Sequence, residues 1–210
     1  MSNRSYIYST SLDKSLSTEQ KDEKITGVSE YAYSIPLSYK ILVSQDTKMV
    51  KSIIWDHSAL IALQGDYDKG RKKLYDFIDK LWRENIFDKS ELMEKIARVH
   101  SFLDSPDIES TFFHLENGEI YDMNEQDLEI QNRDLYKNEI MDIDKTIRSV
   151  IARLHGLKQK DTTMSSQRTG LFAKKKKQKQ EAEIINTSSY MWELLGIDYW
   201  SNTLYYDFSK

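Results

Sequence analysis

The sequence predicts a single α+β domain over residues 1–210, built on a small mixed or antiparallel sheet with several packed helices. Three observations carry that expectation. Strand-like alternation stands at both ends of the chain, and helical periodicity of 3.6 fills much of the space between. The composition, 39% hydrophobic and 11% aromatic with thirteen Tyr and four Trp, suffices for a packed core and argues against disorder.

Arg4 to Thr10 reads as a strand, with Tyr6 and Tyr8 on one face and Ser5, Ile7 and Ser9 on the other. Ser11 to Lys24 is polar and reads as an exposed loop. Ile25 to Ile35 suits a second strand, anchored by Val28, Tyr31 and Tyr33. Pro36 suits the first turn of a short helix through Leu37, Ile41 and Leu42, and Gln45 to Lys48 reads as a surface connection. Ile53 to Leu63 fits either two short strands or one strand and a helical turn, since short apolar runs do not resolve by period.

Gly65-Asp66-Tyr67 reads as a turn leading into a helix from about Tyr67 to Asn85. In it Leu74, Phe77, Ile78, Leu81 and Trp82 form one apolar stripe. Asp88-Lys89-Ser90-Glu91 is close to a capping box for the next helix, through Leu92, Ile96, Val99 and Leu103 to Asp104-Ser105-Pro106.

Thr111 to Met123 carries a hairpin pattern, with Asn117-Gly118 as a type I′ turn that sets Leu115 opposite Ile120 and His114 opposite Tyr121. A long helix is expected near 125–157, with Asn124 as N-cap and Gly156 at its C′ position. Residues 158–180 lose the periodicity and read as a mobile Lys-rich loop within the domain, ending in the Lys174–Lys179 run. A last helix carries Met191, Trp192 and Leu195 to Gly196, and Leu204 to Phe208 reads as a closing strand.

Charge and composition exclude several functions. The net charge is −4, so the whole chain does not carry the field of a nucleic-acid binder. The Lys174–Lys179 run has no Arg, no interleaved aromatics and no nucleic-acid motif, and reads as a solvated loop. With no cysteine, disulfides, thiol catalysis and Cys-based zinc sites are excluded. His57, His100, His114 and His155 do not fall at metal-ligand spacing, so neither metal nor cofactor is expected. No apolar h-region opens the chain and no run is long enough to span a bilayer, so a cytoplasmic protein with no signal peptide is expected.

Two surfaces are candidates for function. Glu116 to Asp144 holds ten acids against Arg133 and Lys137, a net of −8. Glu116, Glu119, Asp122, Glu125, Asp127 and Glu129 would there face a protein partner with a basic surface. Asp56 and His57 after Trp55, with Asp66 and Arg4, are the residues on which general acid–base or hydrolytic chemistry would rest. Against that, Asp56 reads as a turn-forming residue and Asp66 as the N-cap of its helix.

Several strings carry a resemblance. They are Asn3-Arg4-Ser5-Tyr6-Ile7-Tyr8-Ser9, Gly27-Val28-Ser29-Glu30 with Tyr33 and Ile35-Pro36, Ser52-Ile53-Ile54-Trp55-Asp56, Gly65-Asp66-Tyr67, and Asn202-Thr203-Leu204-Tyr205-Tyr206-Asp207-Phe208. In this order they resemble an uncharacterised family of small bacterial proteins, a domain of unknown function. The resemblance covers most of the first eighty residues and the last few. It implies a bacterial cytosolic protein and brings no activity, cofactor or catalytic residue. The expectation is a non-enzymatic, protein-binding protein of immunity or adaptor type with an acidic, aromatic-rich surface. The alternative is an enzyme centred on Trp55-Asp56-His57 and Asp66.

Overall fold

A computed structural model describes residues 3–14, 24–166 and 188–208, with the side chains of 160–166 left aside. They form a single α+β unit. Five antiparallel strands, β1 (Arg4–Thr10), β2 (Ile25–Ala32), β3 (Lys48–Val50), β4 (Ala62–Asp66) and β5 (Phe112–Glu116), lie in the order β2-β1-β5-β4-β3. The helices are α1 (Leu37–Leu42), α2 (Tyr67–Glu84), α3 (Lys89–Leu103), α4 (Gly118–Tyr121), α5 (Leu128–Leu135) and α6 (Ile143–Ser166), with residues 188–195 as α7.

The register divides the sheet into two unlike faces. Ile7, Leu63 and Leu115 are cross-strand partners, and with Phe113 they join the main core, where the helices pack. α2 buries Leu74, Phe77, Ile78 and Leu81, each worth about 1.5–3 kcal/mol in removal from water. Asp66 caps this helix by accepting from the Lys69 N–H at 2.9 Å, and Asp88 caps α3 by accepting from Ser90 and Glu91. On the opposite face stand Tyr6, Tyr8, Gln64, His114 and Glu116, also paired across strands and also buried.

Four expectations are corrected. Asn117-Gly118 makes no hairpin: β5 pairs with β1 and β4, and Gly118 opens α4. Gly65 belongs to β4, which runs into α2 without a separate turn. A Cβ there would stand 2.5 Å from the Val43 carbonyl oxygen, so the glycine serves close approach. Leu204–Phe208 joins no strand, and instead crosses over the polar face. Gly156 lies inside α6, whose residues 158–166 take up the beginning of the expected loop. The rest of that loop, including Lys174–Lys179, lies outside the described residues.

The long helical run is interrupted rather than straight. Tyr136–Ile140 is a π-helical turn, closed by the Met141 N–H on the Tyr136 carbonyl at 2.9 Å. Its extra residue lets Leu135 and Ile140, five apart, both turn to the core. Asp142 then accepts from the Lys145 N–H at 3.0 Å and restarts the helix as α6.

The glycines of two helices give opposite expectations. A Cβ on Gly70 would fall on the Leu42 carbonyl oxygen, whereas one on Gly156 meets nothing within 4 Å. Gly156→Ala should raise stability by about 0.5–1 kcal/mol. Gly70→Ala should lower it by about 1–3 kcal/mol despite the same gain in helix propensity. Urea denaturation midpoints of the two variants check both signs.

Candidate functional site

Arg4 and Asp66, two of the residues expected to form a catalytic group, stand at opposite ends of the sheet's strands. Asp56 and His57 are exposed in the irregular segment between β3 and β4. The His57 N–H donates to the Trp55 carbonyl at 2.8 Å and its Nδ1 accepts from the Ala59 N–H at 3.1 Å, so it shapes a turn. Asp66 is a helix cap. Arg4 pairs with Glu30 at 3.5 Å, and its guanidinium lies over the Tyr205 ring. Asp66 aligns through Phe112 with Thr10, the far end of β1 from Arg4. Six residues of strand, about 20 Å, therefore separate the two. Among the described residues no hydrogen bond joins any two of the four, and no group of three His, Asp or Glu side chains could hold a metal ion.

A different cluster is buried on the polar face. Glu116 accepts from the Ser52 hydroxyl at 2.8 Å on one oxygen, and from the Ile53 N–H at 2.6 Å on the other. His114 Nε2 lies 2.8 Å from that second oxygen. A carboxylate only accepts, so the ring proton sits on Nε2. Ser52 Oγ in turn accepts from the Ile54 and Trp55 N–H groups at 2.9 and 2.8 Å. The hydroxyl gives its proton to the carboxylate and not to the imidazole, so the three do not form a nucleophile–base relay. They pin the 52–55 loop to the sheet.

The same face continues through Glu119, which accepts from the Arg4 N–H at 2.8 Å and the Tyr6 hydroxyl at 2.9 Å. The C-terminal segment closes over it. The Tyr8 hydroxyl donates to the Tyr206 carbonyl at 3.0 Å, and the Glu30 carboxylate accepts from the Tyr205 N–H at 2.7 Å. The Tyr206 ring meets Tyr6 edge-on, and Phe208 meets Tyr8.

These contacts revise the expected acidic surface. Glu116 is 1% exposed and faces no partner. Glu119 is turned inward, and half-buried Glu129 accepts from the Leu60 N–H and pairs with Arg133. Asp127 is exposed but caps α5. Asp122 and Glu125 are exposed, as are Met123 and Ile130.

A concavity lies elsewhere among the described residues. A groove of about 840 Å³ lies between the end of β2, the β2–α1 connection, α6 and α7. Tyr31, Tyr33, Tyr190 and Tyr199 line it. Two ion pairs lie within it, Arg4 on Glu30 and Lys40 on Glu139 at 2.6 Å, while Arg153 meets the Tyr190 hydroxyl. Tyr31 and Tyr199 meet edge to face at 5.7 Å. Tyr33 is 63% exposed and has φ +61°, a left-handed backbone that bulky side chains rarely adopt. The other non-glycine residues there, among the described residues, are Asp46 and Asn85, types that tolerate it. Sequence reasoning noted Tyr33 only as a strand anchor and missed the groove, because the lining residues come from five distant segments.

The chain belongs to a family described as a domain of unknown function (DUF7822), whose profile matches residues 13–157. That span includes the middle of the chain and leaves out both the Asn3–Ser9 string and the C-terminal one. No curated protein and no solved structure matches the chain.

Two predictions concern buried polar groups. Glu116→Ala orphans a hydroxyl, a backbone N–H and a ring N–H in a buried setting, and should cost about 3 kcal/mol or more in urea denaturation. Burial raises the hydroxyl pKa of Tyr6, Tyr8, Tyr39 and Tyr121, and pushes Tyr67 from 10.0 up to about 12. A raised phenol stabilises the fold below the unfolded value and loses that contribution as pH rises through the folded one. Stability should therefore hold up to about pH 10 and fall between about pH 10 and 12, with tyrosinate absorbance rising together with unfolding.

Proposed function

We propose that the protein is a non-enzymatic, bacterial and cytoplasmic binding protein of immunity or adaptor type. It engages a protein partner through an aromatic-rich surface whose centre is the tyrosine-lined groove. The observation that carries this reading is the pair of exposed rings, Tyr33 and Tyr199, at 63% and 61% exposure on the groove's rim. Tyrosine supplies large contact area at low entropic cost and is enriched among residues that dominate interface energetics. A bulky residue held in a left-handed backbone at such a rim fits a position kept for contact rather than for folding.

The partner carries a basic surface. Outward Asp122 and Glu125, within a stretch of net charge −8, favour its approach and speed encounter more than they strengthen the final complex. Among the described residues no helix is long and apolar enough to cross a membrane.

The test begins with recovery of a stoichiometric partner from the host cell and titration of the purified pair. Tyr33→Ala and Tyr199→Ala should each weaken binding about tenfold, or about 1.4 kcal/mol, with unfolding midpoints unchanged. Joint Asp122→Asn and Glu125→Gln should slow association and reduce its salt dependence. Affinity untouched by both tyrosine changes would overturn the reading.

A further inference from the structure

We infer that the partner enters the groove as an extended segment that adds a strand to the outer edge of β2 at Ala32, where no described strand pairs with it; this rests on the binding reading above. β2 is an edge strand of the sheet. In an antiparallel ladder, residues alternate between pointing both backbone groups at the neighbour and pointing both away. The Tyr33 N–H donates to the Asn3 carbonyl at 2.8 Å, which sets the phase: Tyr33 and Tyr31 bond towards β1, and Ala32 and Glu30 point outward. Two bonds confirm that phase independently. Arg4, opposite Ala32, turns its N–H away from β2 and gives it to Glu119 at 2.8 Å. Val28, two residues before Glu30, accepts from the Ser201 N–H at 3.0 Å on the outer side.

The outer side already takes an extended segment where the chain supplies one. Trp200 bridges antiparallel to Ser29, and the Tyr199 carbonyl accepts from the Ser29 hydroxyl, itself an acceptor for the Tyr39 hydroxyl at 2.7 Å. That pairing ends there. Beyond it Ala32 is exposed and lies on the wall of the groove. Natural edges are commonly blocked by proline, an unpaired charge or a bulge. Here the bulge sits lower, between Ser29 and Gly27, and the Glu30 carboxylate is occupied by Arg4 and the Tyr205 N–H on the polar face. An incoming strand would gain the Ala32 N–H and C=O as main-chain partners, and an apolar side chain on it would lie against Tyr31 and Tyr199.

The experiment pans a library of random linear peptides against the immobilised full-length chain and remeasures synthetic versions of the enriched peptides against variants. Ala32→Pro deletes the outward N–H at an edge position where proline is tolerated. It should reduce peptide affinity at least about tenfold, as expected for an interface built on main-chain bonds. In the unaltered protein the Ala32 amide should exchange rapidly with solvent and slow at least about tenfold on peptide binding, a readout independent of how the proline variant folds. Peptides that bind Ala32→Pro normally but lose affinity for Tyr33→Ala overturn strand addition and leave the groove reading standing. A library that yields no binder, or a bound peptide that leaves the Ala32 amide unprotected, overturns strand addition, and the groove reading is then decided by the partner titration.

Discussion

One carboxylate anchors the irregular 52–55 loop to the polar face of the sheet. Glu116 is buried on the polar face of the sheet, and the Ser52 hydroxyl, the Ile53 N–H and His114 converge on it. The alternative is a buried acid and several unpaired donors, each costing about 1–3 kcal/mol. The loop it holds brings the Trp55 ring against Gly118, where a Cβ would stand 2.9 Å from the indole nitrogen. Gly118 opens α4, and α4 presents Glu119 to Arg4 and Tyr6. The same polar face then receives the C-terminal segment through Tyr6 and Tyr8.

The two faces of the sheet divide the labour. The apolar face buries the stripe of α2, the aligned residues of α5 and α6, and the Phe87–Trp192 stack that seats α7. The polar face is held by loops whose backbone groups find side chains instead of other strands, with the buried His114 Nδ1 left without a partner among the described residues. The groove lies where both arrangements meet the edge of β2. The Ser38 hydroxyl donates to the Gly196 carbonyl at 2.8 Å and the Tyr39 hydroxyl to Ser29, tying the chain from α7 to α1 and the strand.

How much of this the sequence revealed depended on the range of the forces involved. β1, α2 and α3 were legible because alternation, apolar stripe and cap are local and agree with one another. Asn117-Gly118 misled because the same dipeptide that favours a tight turn also permits a ring to approach the backbone, and only the distant pairing of β5 with β1 and β4 decides between them. Glu116 was counted as a surface acid because a charge tally ignores its position: with His114 it alternates against Phe113 and Leu115 on a strand buried on both faces. Leu204–Phe208 has strand-like residues, yet it meets a sheet face instead of a sheet edge. The catalytic expectation for Arg4, Asp56, His57 and Asp66 rested on residue types alone; the fold uses Arg4 in an ion pair, His57 in a turn and Asp66 as a cap. The groove has no sequence signature, since it is assembled from segments far apart in the chain.

The central claim is that Glu116 makes an irregular loop as well anchored as the sheet beneath it. Native-state hydrogen exchange of the Ile53, Ile54 and Trp55 amides tests this most directly. All three N–H groups end on Glu116 or Ser52, so they should exchange as slowly as the paired amides of β1 and β5. Exchange at the rate of an open loop, with β1 and β5 protected, would contradict the account.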